Sequence, residues 1–560
     1  MTYIKSKSSI LKLLASITIT LFCIVLFPSA VKAEDNQAAE VNADITLSNQ
    51  GSISRMTDGS YNTKTTFSSG DTITITSSEK MYSLYIKWDL IPSEWTLSYN
   101  GKTETNGTNG FLHEYVQIPD GTTEMTITFA SKESICDMHV YSKGSVPEDV
   151  QTWKTPCDNA DILVFATHAD DEILFLGGVL ATYGGEQNLS VQVAYMCEFT
   201  TSAKIREHEK LDGLWESGIK HYPVCGDFPD LYNQTLEAAK KQYVYDDVKA
   251  YTTSCIRRFK PLVVVTQDLN GEYGHGGHML FSHAVAESVE TSNDSSVFPE
   301  SASNYGTWDV PKTYLHLYTE NKITMNLRLP LSRMGNRTSI EVQTAAYKKH
   351  VSQQWCWFYV SDDYEYSCAD FGLYRTTVGN DTGNDMLENI TTYEEQERLA
   401  KEAAEKESIE SSKAAEEASI AKEQQEIKDN YTYLGFAWLK GLSEVGYYDL
   451  RNEASKLMAD DLCLHVKEQP ERVRLVYEGA EEMEIDQSDE EQMAKMFTCY
   501  LLAGSMDGYG EFVDYALTTH RTLQQNLTRF FVEWFAKAEK GSAFLKRAKM
   551  VYSRYSLPYI

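Results

Sequence analysis

The sequence predicts a multidomain protein with an all-β sandwich, a doubly wound α/β domain, a charged helical linker and a C-terminal α-helical domain. Three observations predict this order. Residues 40–146 show period-two alternation, residues 155–385 alternate short apolar runs with helical periodicity, and residues 388–428 change abruptly to Ala, Glu, Lys, Gln and Ser. A chain of 560 residues is too long for one hydrophobic core, so we expect two to four domains.

The composition narrows the classes of partner. A hydrophobic share of 42% and an aromatic share of 12% are typical of folded globular domains rather than of disordered chains. The net charge of −30 opposes bulk attraction to nucleic acid or anionic lipid, because both need a basic face. We therefore expect no nucleic-acid partner.

Residues 1–33 have the pattern of a cleaved secretory signal peptide. Lysines begin the segment, residues 13–27 are apolar, and small residues at 31–33 suit a cleavage site. An uncleaved membrane anchor is the alternative. No second apolar segment is long enough to span a bilayer, so we expect a secreted mature chain without a membrane span, free or associated with the cell surface. Beyond this segment the cysteines are scattered, with no CxxC pair that would indicate a zinc finger.

Residues 40–146 are predicted to form a β-sandwich. Residues 72–76 and 125–129 alternate strictly between polar and apolar side chains. Dipeptides typical of turns separate the apolar runs, and they are Asp58-Gly59, Ser69-Gly70, Asn100-Gly101, Asn109-Gly110 and Asp120-Gly121. Short strands at this spacing favour a sandwich.

Two tryptophans in this region have two interpretations. The segment 56–61, followed by Trp88, Trp95 and the closing pair 140–141, resembles discoidin-like (galactose-binding-like) sandwiches. That resemblance implies a candidate carbohydrate-binding surface, on which exposed indoles would stack against sugar rings. The alternative, which we favour for a sandwich, is that both indoles belong to the core.

Residues 155–385 alternate strands with helices. Residues 161–166 and 261–266 are short apolar runs rich in branched side chains, as buried parallel strands are, and 190–195 is a third candidate. Helical periodicity covers 173–183 and 205–218. This order predicts a doubly wound sheet, whose ligands bind at the carboxyl ends of its strands.

The last two regions carry no recognisable chemistry. Residues 388–428 contain favourable i,i+4 acid–base pairs and predict a long solvated helix or semi-rigid spacer, and they lack the apolar heptad seam of a coiled coil. Residues 430–560 are predicted to be helical. An aromatic stripe at 530–535 is typical of a bundle core, and the role of this domain is open.

A cluster of charged side chains follows the predicted strand 161–166. His168, Asp170 and Asp171 come directly after it, where an α/β protein exposes side chains to a cleft. Burying carboxylates without partners is costly, and a divalent cation would satisfy them. A histidine with a carboxylate is also half of a catalytic zinc site. The alternative is a simple helix start, because acidic residues stabilise the first turn of a helix.

A histidine cluster follows the strand 261–266 in the same way. His275, His278 and His283 fall close together, although the whole chain has only 12 histidines. His275 and His278 are separated by glycines, so both side chains can face one cleft. We expect His283 to face elsewhere, from a helix that begins near His278, and to be a packing residue rather than a ligand.

Together these elements resemble a known family. Residues 166–172 (Ala-Thr-His-Ala-Asp-Asp-Glu) are similar to the (A)HPDDE motif of the LmbE-like, PIG-L-type zinc-dependent N-acetylglucosamine deacetylases, and residues 274–278 (Gly-His-Gly-Gly-His) to their GHPDH motif. Residues 206–209 resemble the R..E pattern of that family, and 346–353 resemble its A..cHkSQ element. All four occur in the family's order. The resemblance implies a Rossmann-like deacetylase domain over 155–385.

The resemblance implies a role for each matching residue. Three would bind Zn²⁺: His168, Asp171 and His278. Three would act in catalysis: Asp170 as general base, His275 as stabiliser of the tetrahedral intermediate or proton donor to the leaving amine, and Tyr273 in polarising the carbonyl. Two would hold sugar hydroxyls: Arg206 and Asp230. Amide hydrolysis near neutral pH needs such a metal together with a positioned base and acid.

The chain departs from the family pattern in two places. Ala169 replaces a proline, which only stiffens the turn. Gly276 and Gly277 replace Pro-Asp, and the missing aspartate would pair with the neighbouring histidine and set its basicity. Its loss leaves the orientation and pKa of His275, and hence the rate, undetermined by the sequence.

The sequence thus predicts a secreted metal-dependent hydrolase that removes the N-acetyl group from an N-acetylglucosamine-containing glycan or glycoconjugate. Two alternatives stay open. A zinc amidase could cleave another sugar-conjugate amide, such as a thiol conjugate, although export counts against it because such thiols are mainly cytosolic. The chain could also be a catalytically impaired, extracellular glycan-binding or adhesion protein, given its glycine substitutions, sandwich and spacer.

Overall fold

The structure is a computed structural model that describes residues 37–444, with side chains as far as residue 422. The predicted signal peptide and the aromatic stripe of the predicted C-terminal domain lie outside the described residues. Described residues up to Arg398 form one compact unit, which contains both the β-rich and the α/β regions, and a second unit begins at Leu399. The domain boundaries given above stay predictions.

Within the described range, the strands and helices have the following bounds. The strands are β1 (Asp44–Leu47), β2 (Thr65–Phe67), β3 (Thr72–Trp88), β4 (Trp95–Tyr99), β5 (Lys102–Asn106), β6 (His113–Phe129), β7 (Glu133–Tyr141), β8 (Ile162–Ala166), β9 (Val191–Glu198), β10 (Val224–Pro229), β11 (Val263–Thr266), β12 (Lys312–His316), β13 (Lys322–Thr324), β14 (Pro330–Leu331), β15 (Arg337–Thr338) and β16 (Asp370–Thr376). The α-helices are α1 (Asp171–Leu174), α2 (Gly177–Val179), α3 (Ile205–Glu216), α4 (Leu236–Gln242), α5 (Tyr245–Phe259), α6 (Gly276–Thr291), α7 (Pro299–Tyr305), α8 (Ser339–Tyr347) and α9 (Tyr393–Glu444).

The N-terminal region is all-β, as predicted. Its strands form one antiparallel sheet in the order β2-β7-β3-β6-β4-β5, with β1 paired to β3. β3 and β6 are each 17 residues long, and their mutual register shifts near the middle. Rings from the two halves of the sheet meet, with centroids 5.7 Å apart for Trp88 and Trp95 and 4.5 Å apart for Phe67 and Phe129. The halves of this continuous sheet therefore enclose an aromatic core.

Both tryptophans belong to that core, so core packing is the correct one of the two interpretations. Trp88 and Trp95 are fully buried, and their indole N–H groups donate to the same carboxylate oxygen of Glu114 at 3.0 and 2.9 Å. The backbone N–H of Gly107 donates to the other oxygen at 2.8 Å. With no exposed face, these two indoles cannot stack on a glycan.

Of the predicted turn dipeptides, one forms a hairpin turn and another lies within a strand. Asn100-Gly101 joins β4 to β5, with φ of 49° and 75°, which is the conformation that a two-residue hairpin needs. The turn expected at Asp120-Gly121 is wrong, because β6 runs through these residues. Gly121 has φ of 61° beside the register shift between β3 and β6, so the glycine serves a bulge within a strand instead.

The α/β region contains a second sheet, in the order β10-β9-β8-β11-β12-β16-β13. The first five strands pair in parallel, and β16 pairs antiparallel with both β12 and β13. The predicted strands 161–166, 190–195 and 261–266 correspond to β8, β9 and β11. Since neighbouring parallel strands point the same way, the carboxyl ends of β8, β11 and β12 lie at one edge of the sheet.

The predicted helices are present, but one is broken. The segment 205–218 is α3, whereas 173–183 is divided among α1, α2 and a π-helix at Leu180–Glu186. After the break, the helix packs closely on a neighbouring backbone, because a Cβ at Gly178 in α2 would lie 2.6 Å from the Cys368 carbonyl oxygen. Residues 393–428 of the charged segment 388–428 lie in α9, which begins at Tyr393. None of the helices in the described part of the chain is both apolar and long enough to cross a bilayer.

Candidate active site and metal centre

Three predicted metal ligands converge at the carboxyl ends of β8 and β11. His168 and Asp171 follow β8, and His278 lies in the first turn of α6. His168 Nδ1 and His278 Nε2 each lie 3.1 Å from Asp171 Oδ2, and 3.2 Å from each other. All three side chains are buried. Their donor atoms form a nearly equilateral triangle, which we call the ligand triangle.

The ligand triangle fits a zinc ion. Zinc bonds of about 2.0–2.1 Å in a tetrahedral site place neighbouring ligand atoms roughly 3.3 Å apart, and imidazole nitrogen and carboxylate oxygen are ligands that zinc prefers. Further side chains with possible ligand atoms lie close to the triangle. A nitrogen of His275 lies within 4.8 Å of those of His168 and His278, and the donor atoms of His168, Cys197 and Asp230 are equally close to one another.

The local backbone orients these groups. The N–H of His168 donates to Asp171 Oδ2 at 2.8 Å, and the N–H of Asp170 donates to Glu172 Oε2 at 2.8 Å. Asp170 has φ of 118° at the N-cap of α1, a strained conformation of the kind that clusters at functional sites. Asp171 and Glu172 also occupy the first turn of α1. Asp171 thus belongs both to the acidic helix start and to the ligand triangle.

Two residues absent from the sequence prediction complete the site, Glu272 and His316. Both are fully buried; Glu272 Oε2 is 2.8 Å from His278 Nδ1, and its Oε1 is 2.7 Å from His316 Nδ1. Burial alone would raise the pKa of Glu272, but the bonds from His278 and His316 hold it at about 2. A carboxylate behind a ligand histidine fixes which nitrogen faces the metal. Their sequence signal was available, because Glu272 stands beside the histidine motif and His316 ends a parallel strand.

Arg206 lies against two of the predicted acidic residues. Its Nη2 donates to the Ala169 carbonyl oxygen at 2.6 Å and lies 3.2 Å from Asp170 Oδ1, and its Nη1 lies 3.3 Å from Asp230 Oδ2. Burial raises the pKa of Asp170 to about 7, although the positive charge of Arg206 acts to lower it. The guanidinium also stacks over Phe199 at 4.0 Å. In this structure the Arg206 guanidinium faces the carboxylates of Asp170 and Asp230. Sugar binding by Arg206 and Asp230 stays a prediction.

His275 stands at the N-cap of α6 with its ring fixed by the backbone. Its Nδ1 accepts a hydrogen bond from the N–H of Gly277 at 3.1 Å. Burial, together with the neighbouring His278 and His168, lowers the pKa of His275 to about 3. A neutral imidazole that accepts at Nδ1 carries its proton on Nε2. The side chain is therefore a neutral hydrogen-bond donor.

Tyr273 lies beside the histidines, with ring centroids 5.7 Å from His275 and 5.4 Å from His278. Burial and the Asp171 carboxylate raise the pKa of Tyr273, so its hydroxyl keeps its proton. His283 is half-buried further along α6, and no contact joins it to this group among the described residues.

Residues of the two weaker motifs, 206–209 and 346–353, form hydrogen bonds with each other. Glu209, in the R..E element, accepts from the N–H and the hydroxyl of Ser352 at 2.7 and 2.6 Å. His350 is fully buried, with Nε2 3.5 Å from Glu172 Oε1. These motif residues therefore support the loop and the helix that surround the site.

The comparison with known families matches the α/β region. Residues 163–289 fit the family model PIG-L, described as GlcNAc-PI de-N-acetylase. The chain contains a PIG-L domain. All eight predicted site residues lie within the matched span, whereas His316 and Ser352 lie beyond it.

Curated relatives match parts of the chain. The chain is 24% identical over 178 residues to 1D-myo-inositol 2-acetamido-2-deoxy-alpha-D-glucopyranoside deacetylase 1 of Catenulispora acidiphila, covering 27% of this chain and 54% of the relative. It is 38% identical over 110 residues to deacetylase 2 of the same description from Saccharopolyspora erythraea, covering 20% and 39%. The chain thus spans about half or less of the length of these relatives.

Two solved structures align with parts of the chain. N,N'-diacetylchitobiose deacetylase from Pyrococcus horikoshii aligns with 18% identity and a TM-score of 0.28, over 35% of this chain and 72% of that one. The CBM32 of AlyQ in complex with 4,5-unsaturated mannuronic acid aligns with 16% identity and a TM-score of 0.16, over 19% of this chain and 99% of that one.

Proposed function

We propose that this protein is a secreted, zinc-dependent N-deacetylase that removes the acetyl group from an N-acetylglucosamine-containing glycan or glycoconjugate. The observation that carries the proposal is the ligand triangle of His168, Asp171 and His278 inside a PIG-L domain, with Asp170 and His275 beside it. The curated relatives are named as deacetylases of an acetamido-glucose conjugate, which supports this substrate class. Export rests on the pattern of residues 1–33 alone.

The chain's own residues divide the work of amide hydrolysis. Bound zinc would lower the pKa of water and polarise the amide carbonyl. Asp170, held at Oδ1 by Arg206, takes the proton from the attacking water. Neutral His275 donates a hydrogen bond from Nε2 to the oxygen of the tetrahedral intermediate, because Gly277 occupies its Nδ1, and the proton that Asp170 took passes to the leaving amine. Tyr273 keeps its hydroxyl proton and adds a donor at the carbonyl.

The two sheets support the fold that we propose for each region, and the N-terminal sheet bears on the glycan partner. The parallel order β10-β9-β8-β11-β12 supports a Rossmann-like arrangement for the α/β region. The facing halves of the N-terminal sheet support a discoidin-like sandwich. If that sandwich contacts glycans, it does so through side chains other than Trp88 and Trp95, which are buried.

A catalytically impaired glycan-binding protein is the second candidate, because Gly276 and Gly277 replace the family's Pro-Asp. The hydrogen bond from Gly277 to His275 favours the enzyme, since a backbone donor orients the histidine without a carboxylate.

Acetate release separates the two candidates. The full chain would be loaded with zinc, analysed for metal, and assayed against N-acetylglucosamine, its oligomers and its conjugates. Stoichiometric zinc with acetate release supports the deacetylase. Bound zinc without release from any acetylated sugar would contradict it and favour the binding protein. Release only from another amide would favour the zinc amidase.

A further inference from the structure

An aromatic surface borders the histidine cluster, and we call it the aromatic rim. It consists of Tyr232, Tyr273, Trp355, Trp357 and Tyr359. The exposed fraction of these side chains runs from 37% for Tyr273 to 81% for Trp355. Large apolar groups exposed together, rather than singly, mark binding sites on soluble proteins.

Ring contacts connect the rim to the ligand triangle. The Tyr273 ring lies 5.4 Å from that of His278 and 4.5 Å from that of Phe358, measured between centroids. Phe358 in turn lies 4.1 Å from Trp357. The rim is thus continuous with the candidate active site, with Phe358 as its packed base.

The rim approaches the histidines from a second direction as well. Tyr232 is 68% exposed, and its ring centroid lies 5.2 Å from that of His275. On the opposite segment, Trp355, Trp357 and Tyr359 are exposed in alternation with less exposed neighbours. Three exposed aromatic side chains therefore stand close together along that segment.

The segment is anchored at both ends. Before it, the Ser352 N–H donates to Glu209 at 2.7 Å, and after it the Arg328 Nε donates to Asp362 at 2.9 Å. A surface held in place before binding loses less conformational freedom when a ligand arrives. Exposed aromatic side chains on a fixed segment are suited to a rigid ligand.

We propose that the aromatic rim binds the sugar rings that flank the acetylated residue, so that the substrate is an oligosaccharide or polysaccharide rather than a free monosaccharide. The inference rests on the proposed function. Tyrosine and tryptophan present a broad apolar face with a polar tip, which suits a sugar ring whose hydroxyls stay in water. The net charge of −30 argues against nucleic acid or anionic lipid as the occupant.

The ratio of kcat/KM for the N-acetylglucosamine tetramer to that for the monomer tests the rim in the zinc-loaded full chain. We expect a ratio of at least about tenfold, and a drop of about threefold to tenfold in Trp357→Ala and in Trp355→Ala, the range of one aromatic contact. Tyr305→Ala removes an exposed aromatic side chain on α7 and should leave the ratio unchanged. A ratio near one, or one that neither tryptophan variant lowers, overturns the proposal.

Binding separates failure of the rim from failure of the chemistry. Calorimetric titration with the tetramer compares Asp170→Asn with Asp170→Asn/Trp357→Ala. Weaker binding by the double variant upholds the rim even if the wild-type chain deacetylates no sugar, a result that would sink only the proposed function. Equal binding by the two variants overturns the proposal that the rim binds sugar rings. A protein partner is then the remaining occupant of the rim.

Discussion

The backbone N–H of Gly277 donates to Nδ1 of His275 over 3.1 Å, at the position where the related motif carries an aspartate. The glycine also provides the space for the ring, because a Cβ at Gly277 would lie 2.9 Å from His275 Cε1. At Gly276 a Cβ would lie 2.2 Å from the Thr235 carbonyl oxygen. The two substitutions therefore belong to one local arrangement, in which a backbone donor orients the histidine.

Gly277→Ala should lower kcat while the chain stays folded. The new methyl must displace the His275 ring, and small misplacements of a catalytic group cost about tenfold to a hundredfold in rate. Steady-state acetate release measures the loss, and circular dichroism checks the fold. Gly383→Ala is the matched control, because its Cβ would meet only Glu388 at an ordinary 3.5 Å. Full activity in Gly277→Ala would show that the ring position is not critical.

Asp170→Asn should abolish most turnover without releasing zinc. An amide cannot accept the proton from water, and a positioned base contributes about 10²–10⁴-fold. Acetate release and zinc content are measured on the same sample. Asp227→Asn, an exposed carboxylate in the same PIG-L domain, should behave as wild type. Unchanged turnover in Asp170→Asn would reject Asp170 as the base.

Glu272→Gln should weaken zinc binding by about tenfold to a hundredfold, the usual effect of losing a carboxylate behind a ligand histidine. The buried amide keeps the volume of Glu272 but neither its charge nor its second acceptor oxygen, so His278 and His316 cannot both be held as they are. Competition with a chelator measures the zinc dissociation constant. Glu300→Gln, exposed in the first turn of α7, is the control. An unaltered dissociation constant would remove Glu272 from the site.

A buried histidine pair should make the fold sensitive to acid. His113 Nε2 lies 2.8 Å from His208 Nδ1, and joins β6 to α3. Burial lowers the pKa of His113 to about 3 and holds the pKa of His208 well below its ordinary 6.5. Below about pH 6.5 the unfolded chain therefore binds more protons than the folded one, so the free energy of unfolding falls as the pH falls.

The expected loss is about 1 kcal/mol per histidine between about pH 6.5 and pH 5.5, and urea unfolding at the two values measures it. His208→Gln should reduce this pH dependence. His139→Gln should not, because Asp137 raises the pKa of His139. The same slope in His208→Gln and in the wild-type chain would contradict the assignment.

Much of the candidate site could be predicted because its determinants are local. His168 and Asp171 stand three residues apart directly after a buried strand, so one short motif brings both to the same edge. The third ligand, His278, could be placed because the carboxyl ends of neighbouring parallel strands meet, and apolar runs are sufficient to identify such strands. The hairpin at Asn100-Gly101 is likewise encoded in two residues.

Other features depended on contacts between segments distant in the sequence, and only the tertiary structure decided them. The pairing of Glu272 with His316 needs β12 beside β11, and no motif records which strands become neighbours. The same holds for Arg206, whose charge faces Asp170 and Asp230. Composition could not decide whether a tryptophan is core or surface. Packing buried Trp88 in the N-terminal core and left Trp357 exposed beside the histidines, because burial is a property of the assembled fold.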